Sequence, residues 1–291
     1  MANPSAPASK NVDALTGKST TGHEWDGIRE LNTPLPSWWL YTFYACIAFA
    51  LVWVVLYPSL PNVPSVTGWT ARGAIDGVVR AERVRTEPML ARIRAATPAA
   101  IAADPALRTF ALAGGRVAFA NNCAACHGAG GQGALGGFPS LADDDWLYGG
   151  TFDDIQFTIR HGIRNGEDSA ARGIVMPAFL SAGLTQAQIG DIADFVLKLS
   201  ASPHDAAGAE RGAPLYAANC AVCHGAAGEG NRAMGAPRLN DRIWLYGGDK
   251  ASIVHSISYS RAGVMPAFAG RLDAATINML TVYVHALGGG E

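Results

Sequence analysis

Hydrophobic and polar positions along this 291-residue chain fall into distinct zones. Residues 1–37 are mostly polar and show no sustained period. From Trp38 to Tyr57 the chain then reads WWLYTFYACIAFALVWVVLY, twenty residues without a charge. At a rise of ~1.5 Å per residue such a helix covers ~30 Å, the thickness of a bilayer core. Trp38, Trp39 and Tyr41 at one end and Tyr57 at the other suit the two headgroup levels, and Pro58 stops the helix. The span has no polar stripe to turn toward water, which argues against a buried core helix. It begins too late, and leaves through YPSLPNVP with too poor a cleavage site, for a removed signal peptide. Cys46, in mid-span, is expected to pack against lipid or a partner helix.

Beyond the span, residues 59–106 read as a linker with helical segments, dotted with arginine from 72 onward. Two later stripes have helical spacing. Ile189, Ile192, Val196 and Leu199 follow a capping box of Thr185 and Gln188, and Ile277, Leu280, Val284 and Leu287 follow Asp273 as N-cap. Two further helices, from roughly Leu112 and from Ala209, lead into a pair of cysteine motifs. Entering and closing helices are expected to cross. No alternating strand pattern of useful length is present, so the fold class is all-α.

Charge narrows the partners. A formal net charge of −2 and a pI near 6.4 leave no basic footprint for nucleic acid. Lys18 and Arg29 precede the span and Arg72 is the nearest cation after it, which favours a cytoplasmic N-terminus and puts residues 58–291 on the other side of the membrane. The 34 glycines crowd into 128–150, 162–183 and 225–270, segments expected to be loops around a ligand.

Four of the five cysteines sit in NCAACHG at 122–128 and NCAVCHG at 219–225. Cys123 and Cys126, like Cys220 and Cys223, are spaced to add across the two vinyl groups of a haem, with His127 or His224 then reaching the iron. A zinc site of four thiolates is the main competitor, but it has no use for a histidine directly after each second cysteine. Disulfide staples are unnecessary in a chain long enough to pack a core. The motifs head a repeat: FPSL, DWLYGG and VMPAF follow the first, and APRL, IWLYGG and VMPAF the second, with the motif histidines 97 residues apart. The first copy carries nine extra residues around RHGIRNGEDSAARG, a polar segment expected to be a surface loop.

Met176 and Met265, both in VMPAF, are the only methionines repeated in register and are the candidate sixth ligands; Met89, Met234 and Met279 are not repeated. His161 and His255 are rival ligands at non-equivalent positions. Whether each methionine serves its own copy or the other stays open at this level. A carbonyl near Pro139 or Pro237 is placed to accept the proximal imidazole N–H. Trp146, Tyr148, Trp244 and Tyr246 carry donors on large apolar bodies, suited to a haem edge and its propionates or to plain packing. Asp143, Asp144 and Asp145 read as a solvated loop, with a docking face for a basic partner as the sharper reading.

Over residues 105–290 these motifs resemble the class I cytochrome c fold, twice. HEWDGIRELNTPLPSWW and the single span after it are similar to the dihaem subunit III (CcoP/FixP) of cbb3-type cytochrome c oxidases. The resemblance implies a cytoplasmic tail at 1–37, a transmembrane helix at 38–58, and tandem cytochrome c domains at 107–202 and 207–291 in the periplasm of a bacterial inner membrane. It implies two covalent haem c groups on Cys123, Cys126, Cys220 and Cys223, with His127, Met176, His224 and Met265 as axial ligands. It further implies electron transfer without catalysis by this chain: electrons arrive from a soluble cytochrome c donor and leave for a monohaem subunit and a haem-copper subunit that reduces oxygen and pumps protons. The runner-up is a membrane-anchored dihaem cytochrome serving a dehydrogenase or another reductase. A dihaem peroxidase would need one iron to lose its methionine, and a haem gas sensor would need an output domain.

Overall fold

The computed structural model describes residues 11–13, 15–61 and 64–291; residues 1–10 and 14 of the expected tail, and 62–63 of the expected linker, lie outside the described residues. The chain divides into two units, residues 1–83 and 84–291.

The first unit opens with an element that the all-α reading missed, a hairpin of β1 (Thr20–Trp25) and β2 (Ile28–Leu31), antiparallel, with Trp25 opposite Ile28 and Glu24 opposite Arg29. Its turn is Asp26-Gly27, both at positive φ, and Asp-Gly between two short strands is a strong hairpin signal. Arg29 and Glu24 form a cross-strand ion pair of 2.7 Å. Helix α1 (Ser37–Leu56) follows, with no buried residue and long and apolar enough to cross a membrane. Tyr57 ends it in an extended conformation before Pro58.

Helix α2 (Ala71–Ala95) crosses the boundary between the units. In the second unit it is followed by α3 (Pro98–Ala103), α4 (Pro105–Asn122), α5 (Ala124–His127), α6 (Phe152–His161), α7 (Gln186–Leu199), α8 (Ala206–Asn219), α9 (Ala221–His224), α10 (Lys250–Tyr259) and α11 (Ala274–His285). Side-chain caps start seven of them: Thr97, Asp104, Thr151, Asp205, Asp249 and Asp273 each accept backbone N–H bonds, and Thr185 with Gln188 completes the capping box. The expected linker is part of the compact unit at its far end. Ile93 on α2 and Ile101 on α3 are fully buried with Leu107 and Ala111 of α4 and Ala275, Met279 and Val282 of α11.

The helix pairing corrects the sequence reading. Entering and closing helices do cross, but α4 pairs with α11 and α8 with α7, so each entering helix takes the closing helix of the other copy. One core joins Phe119 of α4 and Ile155 and Ile159 of α6 to Ile277, Leu280 and Val284 of α11. The other joins Ile189, Ile192 and Val196 of α7 to Tyr216 of α8 and Ile253 and Ile257 of α10. The segments 107–202 and 207–291 thus exchange helices. The residues of the second core and those packed on it run from Met176 to Ile257 and form a second body, flanked along the chain on both sides by those of the first.

Two features favour this exchange. Only residues 200–205 separate α7 from α8, so their pairing closes a short loop at little entropic cost. The extra residues after α6, expected to be a plain surface loop, form one of the two crossings between the bodies. There Ile163 and Met265 exchange backbone hydrogen bonds of 3.0 and 2.9 Å, and Arg164 reaches the carbonyls of Gly263 and Ile174.

Both helix crossings need a glycine. A Cβ on Gly115 would stand 2.4 Å from the Met279 carbonyl oxygen, and one on Gly212 2.0 Å from that of Asp191. One turn later the crossing is closed by aromatic pairs, Phe119 with Tyr283 and Tyr216 with Phe195, with ring centroids 5.4 and 5.0 Å apart.

Candidate functional site

Each cysteine motif is one helical turn continuing its entering helix. His127 N–H donates to the Cys123 carbonyl at 3.0 Å and His224 N–H to that of Cys220 at 3.0 Å, which brings two sulfurs and an imidazole onto one face. Gly128 and Gly225, both at φ +79°, then turn the chain away directly after the histidine.

The imidazoles are held as metal ligands usually are. His127 Nδ1–H donates to the Pro139 carbonyl at 3.0 Å and His224 Nδ1–H to that of Pro237 at 2.9 Å, so Nε2 is the nitrogen left to bind. Burial pushes both imidazoles below their ordinary pKa, against the carbonyl bonds, and keeps them neutral and able to ligate. All five cysteines are free thiols. Burial pushes Cys123 and Cys220 up to about 11, with Cys126 and Cys223 adding to the effect. A thiol held protonated is a poor zinc ligand, and among the described residues no three His, Cys, Asp or Glu side chains gather to hold a metal ion. Neutral sulfur and neutral imidazole on one turn fit thioether attachment of haem.

The candidate sixth ligands lie across the exchange. Met265 packs against the same core as Cys123 and Ala124, whereas Met176 packs against the core that contains Cys220 and that Ala221 also touches. Symmetric backbone bonds hold both strings: Phe268 N–H donates to the Ile159 carbonyl at 3.1 Å and Phe179 N–H to that of Ile257 at 3.0 Å. Ser260 also donates its hydroxyl to the Met176 carbonyl.

The rival histidines are otherwise engaged. His161 Nδ1 bonds Asp168 at 2.8 Å, and His255 is exposed on α10 with its ring 4.9 Å from Tyr259. Trp146 donates its indole N–H to the Gly289 carbonyl, while Trp244 packs against the second core. Tyr148 is buried, and among the described residues its hydroxyl has no hydrogen-bond partner; it lines a cavity of about 360 Å³ with Arg172 and Arg232, whose charges are already met by Asp154 and Glu291 of the same lining. Asp145 departs from the solvated-loop reading: burial, then Asp241 and Asp143, raises its carboxyl to about 6.

Sequence reasoning missed two arginines. Arg172 and Arg261 each stand four residues before a VMPAF methionine, with guanidinium carbons 4.6 and 4.7 Å from the ring centroids of Tyr148 and Tyr246. Arg172 is tied to Asp154 and Thr158 of α6, and Arg261 to Ser252 and Ser256 at the equivalent places on α10. Their repeated spacing was the available signal.

Residues 17–64 match the family described as the N-terminal domain of cytochrome oxidase-cbb3, FixP; residues 112–200 match cytochrome c; and residues 207–284 match cytochrome c oxidase, cbb3-type, subunit III. Among curated relatives, the cbb3-type cytochrome c oxidase subunit FixP of Azorhizobium caulinodans is 52% identical, covering 96% of each chain. The subunit CcoP of Azospirillum brasilense is 52% identical over 98% of this chain and 100% of that protein. The subunit FixP of Bradyrhizobium diazoefficiens is 46% identical over 96% and 98%.

Proposed function

This chain belongs to the CcoP/FixP family of cbb3-type cytochrome c oxidase subunits, and we propose that within such an oxidase it is a non-catalytic electron carrier with two haem c groups. The observation that carries this reading is the pair of Cys-x-x-Cys-His turns, each with its imidazole Nδ1 engaged by a proline carbonyl and a VMPAF methionine packed on the same core.

Bound haem supplies a one-electron Fe(III)/Fe(II) couple. Cys123 and Cys126, and Cys220 and Cys223, would hold the two haems through thioether bonds to their vinyl groups. His127 with Met265, and His224 with Met176, would hold the two irons, so that each ligand pair combines the two repeats. An iron held by both a methionine sulfur and an imidazole would offer no place for oxygen and would suit the exchange of single electrons.

In this reading residues 38–58 cross the inner membrane with the tail 1–37 in the cytoplasm and both bodies in the periplasm. Electrons arrive from a soluble c-type cytochrome and leave for the monohaem and haem-copper subunits, where oxygen reduction is coupled to proton pumping.

Purification through a tag on this chain in mild detergent tests the assignment. Haem b, copper and oxygen reduction travelling with a c-type spectrum of two haems per chain is the expected result. A c-type spectrum alone, or one accompanied by a dehydrogenase, overturns the oxidase role and leaves a dihaem carrier of another pathway.

A further inference from the structure

The loops that hold the two proximal histidines are each pressed by a tyrosine of the other sequence copy. A Cβ built on Gly235 would stand 2.1 Å from Tyr148 Cζ, and one on Gly137 2.9 Å from Tyr246 Cε1 and Oη. Both glycines have positive φ, +62° and +113°, and both precede by two residues the proline whose carbonyl accepts the histidine N–H. Each phenol ring thus lies on backbone that only glycine leaves bare. The arrangement is reciprocal: Tyr148 bears on the loop of His224, and Tyr246 on that of His127.

We propose that Tyr148 and Tyr246 are positioning residues that set, across the two repeats, the hydrogen bond from the opposite proximal histidine and hence the potential of the haem it ligates. This rests on His127 and His224 being haem ligands. A firm Nδ1–H···O=C bond makes the imidazole a stronger donor, stabilises Fe(III) and lowers the potential; a carbonyl free to retreat raises it. Arg172 lies over Tyr148 and Arg261 over Tyr246, each guanidinium held in turn by Asp154 and Thr158 in one case and Ser252 and Ser256 in the other.

The two loops differ in their other supports. Gly136 N–H and Gly137 N–H both donate to the Leu245 carbonyl, at 3.1 and 3.2 Å, so the loop of His127 is clamped by backbone as well as by Tyr246. Gly235 N–H is spent locally on the Arg232 carbonyl. The other tie of the His224 loop is the Arg232–Glu291 ion pair, half exposed and so weaker than a buried backbone clamp, and this loop depends more on its tyrosine.

The test is a redox titration of the full chain carrying both haems, labelled with nitrogen-15 histidine, so that the His127 and His224 imidazoles each report their own iron. Tyr148→Phe serves as reference, because it keeps the ring and removes only the unpartnered hydroxyl. Relative to it, Tyr148→Ala raises the potential read at His224 and shifts that Nδ1–H resonance, with the His127 readings unchanged; Tyr246→Ala does the converse by a smaller amount. A Tyr148→Ala protein with both haems retained and the His224 potential unmoved, or with the shift at His127 instead, overturns the proposal. Imidazole resonances that ignore reduction in the parent chain overturn the ligand reading itself.

Discussion

The two bodies use the same parts, yet they close the contact between closing helix and α6 or α10 by different chemistry. In the first, Val282 of α11 is buried in a core against which Phe152, the first residue of α6, packs. In the second, the equivalent residues are Asp194 and Lys250, an ion pair of 2.6 Å whose carboxylate is 3% exposed and also accepts from Asp205 N–H. The first body adds a cover that the second lacks: Asn278 donates to the carbonyls of Ile93 and Ala96 and accepts from Gln156, tying α11 to the end of α2. Phe152 against that core is a contact any apolar side chain of similar volume could make, whereas the buried Asp194 carboxylate needs a cation. The difference teaches that the scaffold demands shape at this point and tolerates either chemistry, provided that no buried charge is left alone.

The largest expected effect breaks the symmetry of the ligand exchange. Met265→Ala removes the sixth ligand from the haem on Cys123 and Cys126, leaving that on Cys220 and Cys223 six-coordinate; optical and magnetic spectra combined with haem-peptide mapping check which one changes. The same logic predicts that residues 174–262, carrying Met176 and both helices of the second crossing, hold a six-coordinate haem as an excised fragment, and that residues 107–202 do not. Should the fragment 107–202 carry a six-coordinate haem by itself, the exchanged pairing is wrong.

Next in size are the crossings. Gly212→Ala forces a methyl group into the Asp191 backbone, and an overpacked contact of this kind costs roughly 1–3 kcal/mol. Gly115→Ala is expected at the lower end of that range, and thermal unfolding of the two variants sharpens the comparison between crossings. The ion pair follows. Lys250→Ala leaves Asp194 buried with one backbone partner and is expected to cost about 2 kcal/mol, below the full buried-pair range because the lysine is half exposed. The double replacement Asp194→Val with Lys250→Phe imports the first body's solution and should restore most of the loss; a double variant no better than the single one removes the equivalence.

The smallest effect concerns pH. Asp145 is raised to about 6 in the folded chain against 3.8 ordinarily, so the folded state holds a proton that the unfolded one releases, and stability falls as pH rises from about 4 to 6. Because this carboxyl is half exposed, its cost near neutral pH is roughly 1 kcal/mol after screening. Asp145→Asn, whose place in the second copy is taken by Ile243, should flatten that stretch of the profile and raise the melting temperature at pH 7 while leaving it unchanged at pH 3.5.

Much of the site was legible in the chain because its chemistry is local. Two cysteines and a histidine at i, i+3 and i+4 face the same way in any helical turn, so Cys123, Cys126 and His127, and their repeats, were readable from spacing alone. Thr185, Gln188 and Asp273 announced their helices because a cap acts within four residues. Helices α6 and α10 were passed over although Thr151 and Asp249 cap them and Ile155 with Ile159, and Ile253 with Ile257, mark their buried faces; one pair of apolar residues is too short a stripe to stand out. The Asp26-Gly27 hairpin was missed for a similar reason, its strands being six and four residues long.

The sequence by itself thus determined the long apolar helix, the two Cys-x-x-Cys-His turns, the repeated methionines and the helices that frame them, since each rests on interactions between near neighbours. Partner choice was decided only in the tertiary structure. Two copies that present the same apolar stripe, the same glycine and the same VMPAF string are, in those features, equally complementary to themselves and to each other. The balance is tipped by the buried Asp194, whose cation Lys250 stands on the other copy, and by chain connectivity: six residues tie α7 to α8, and a longer segment after α6 lets the first copy reach across.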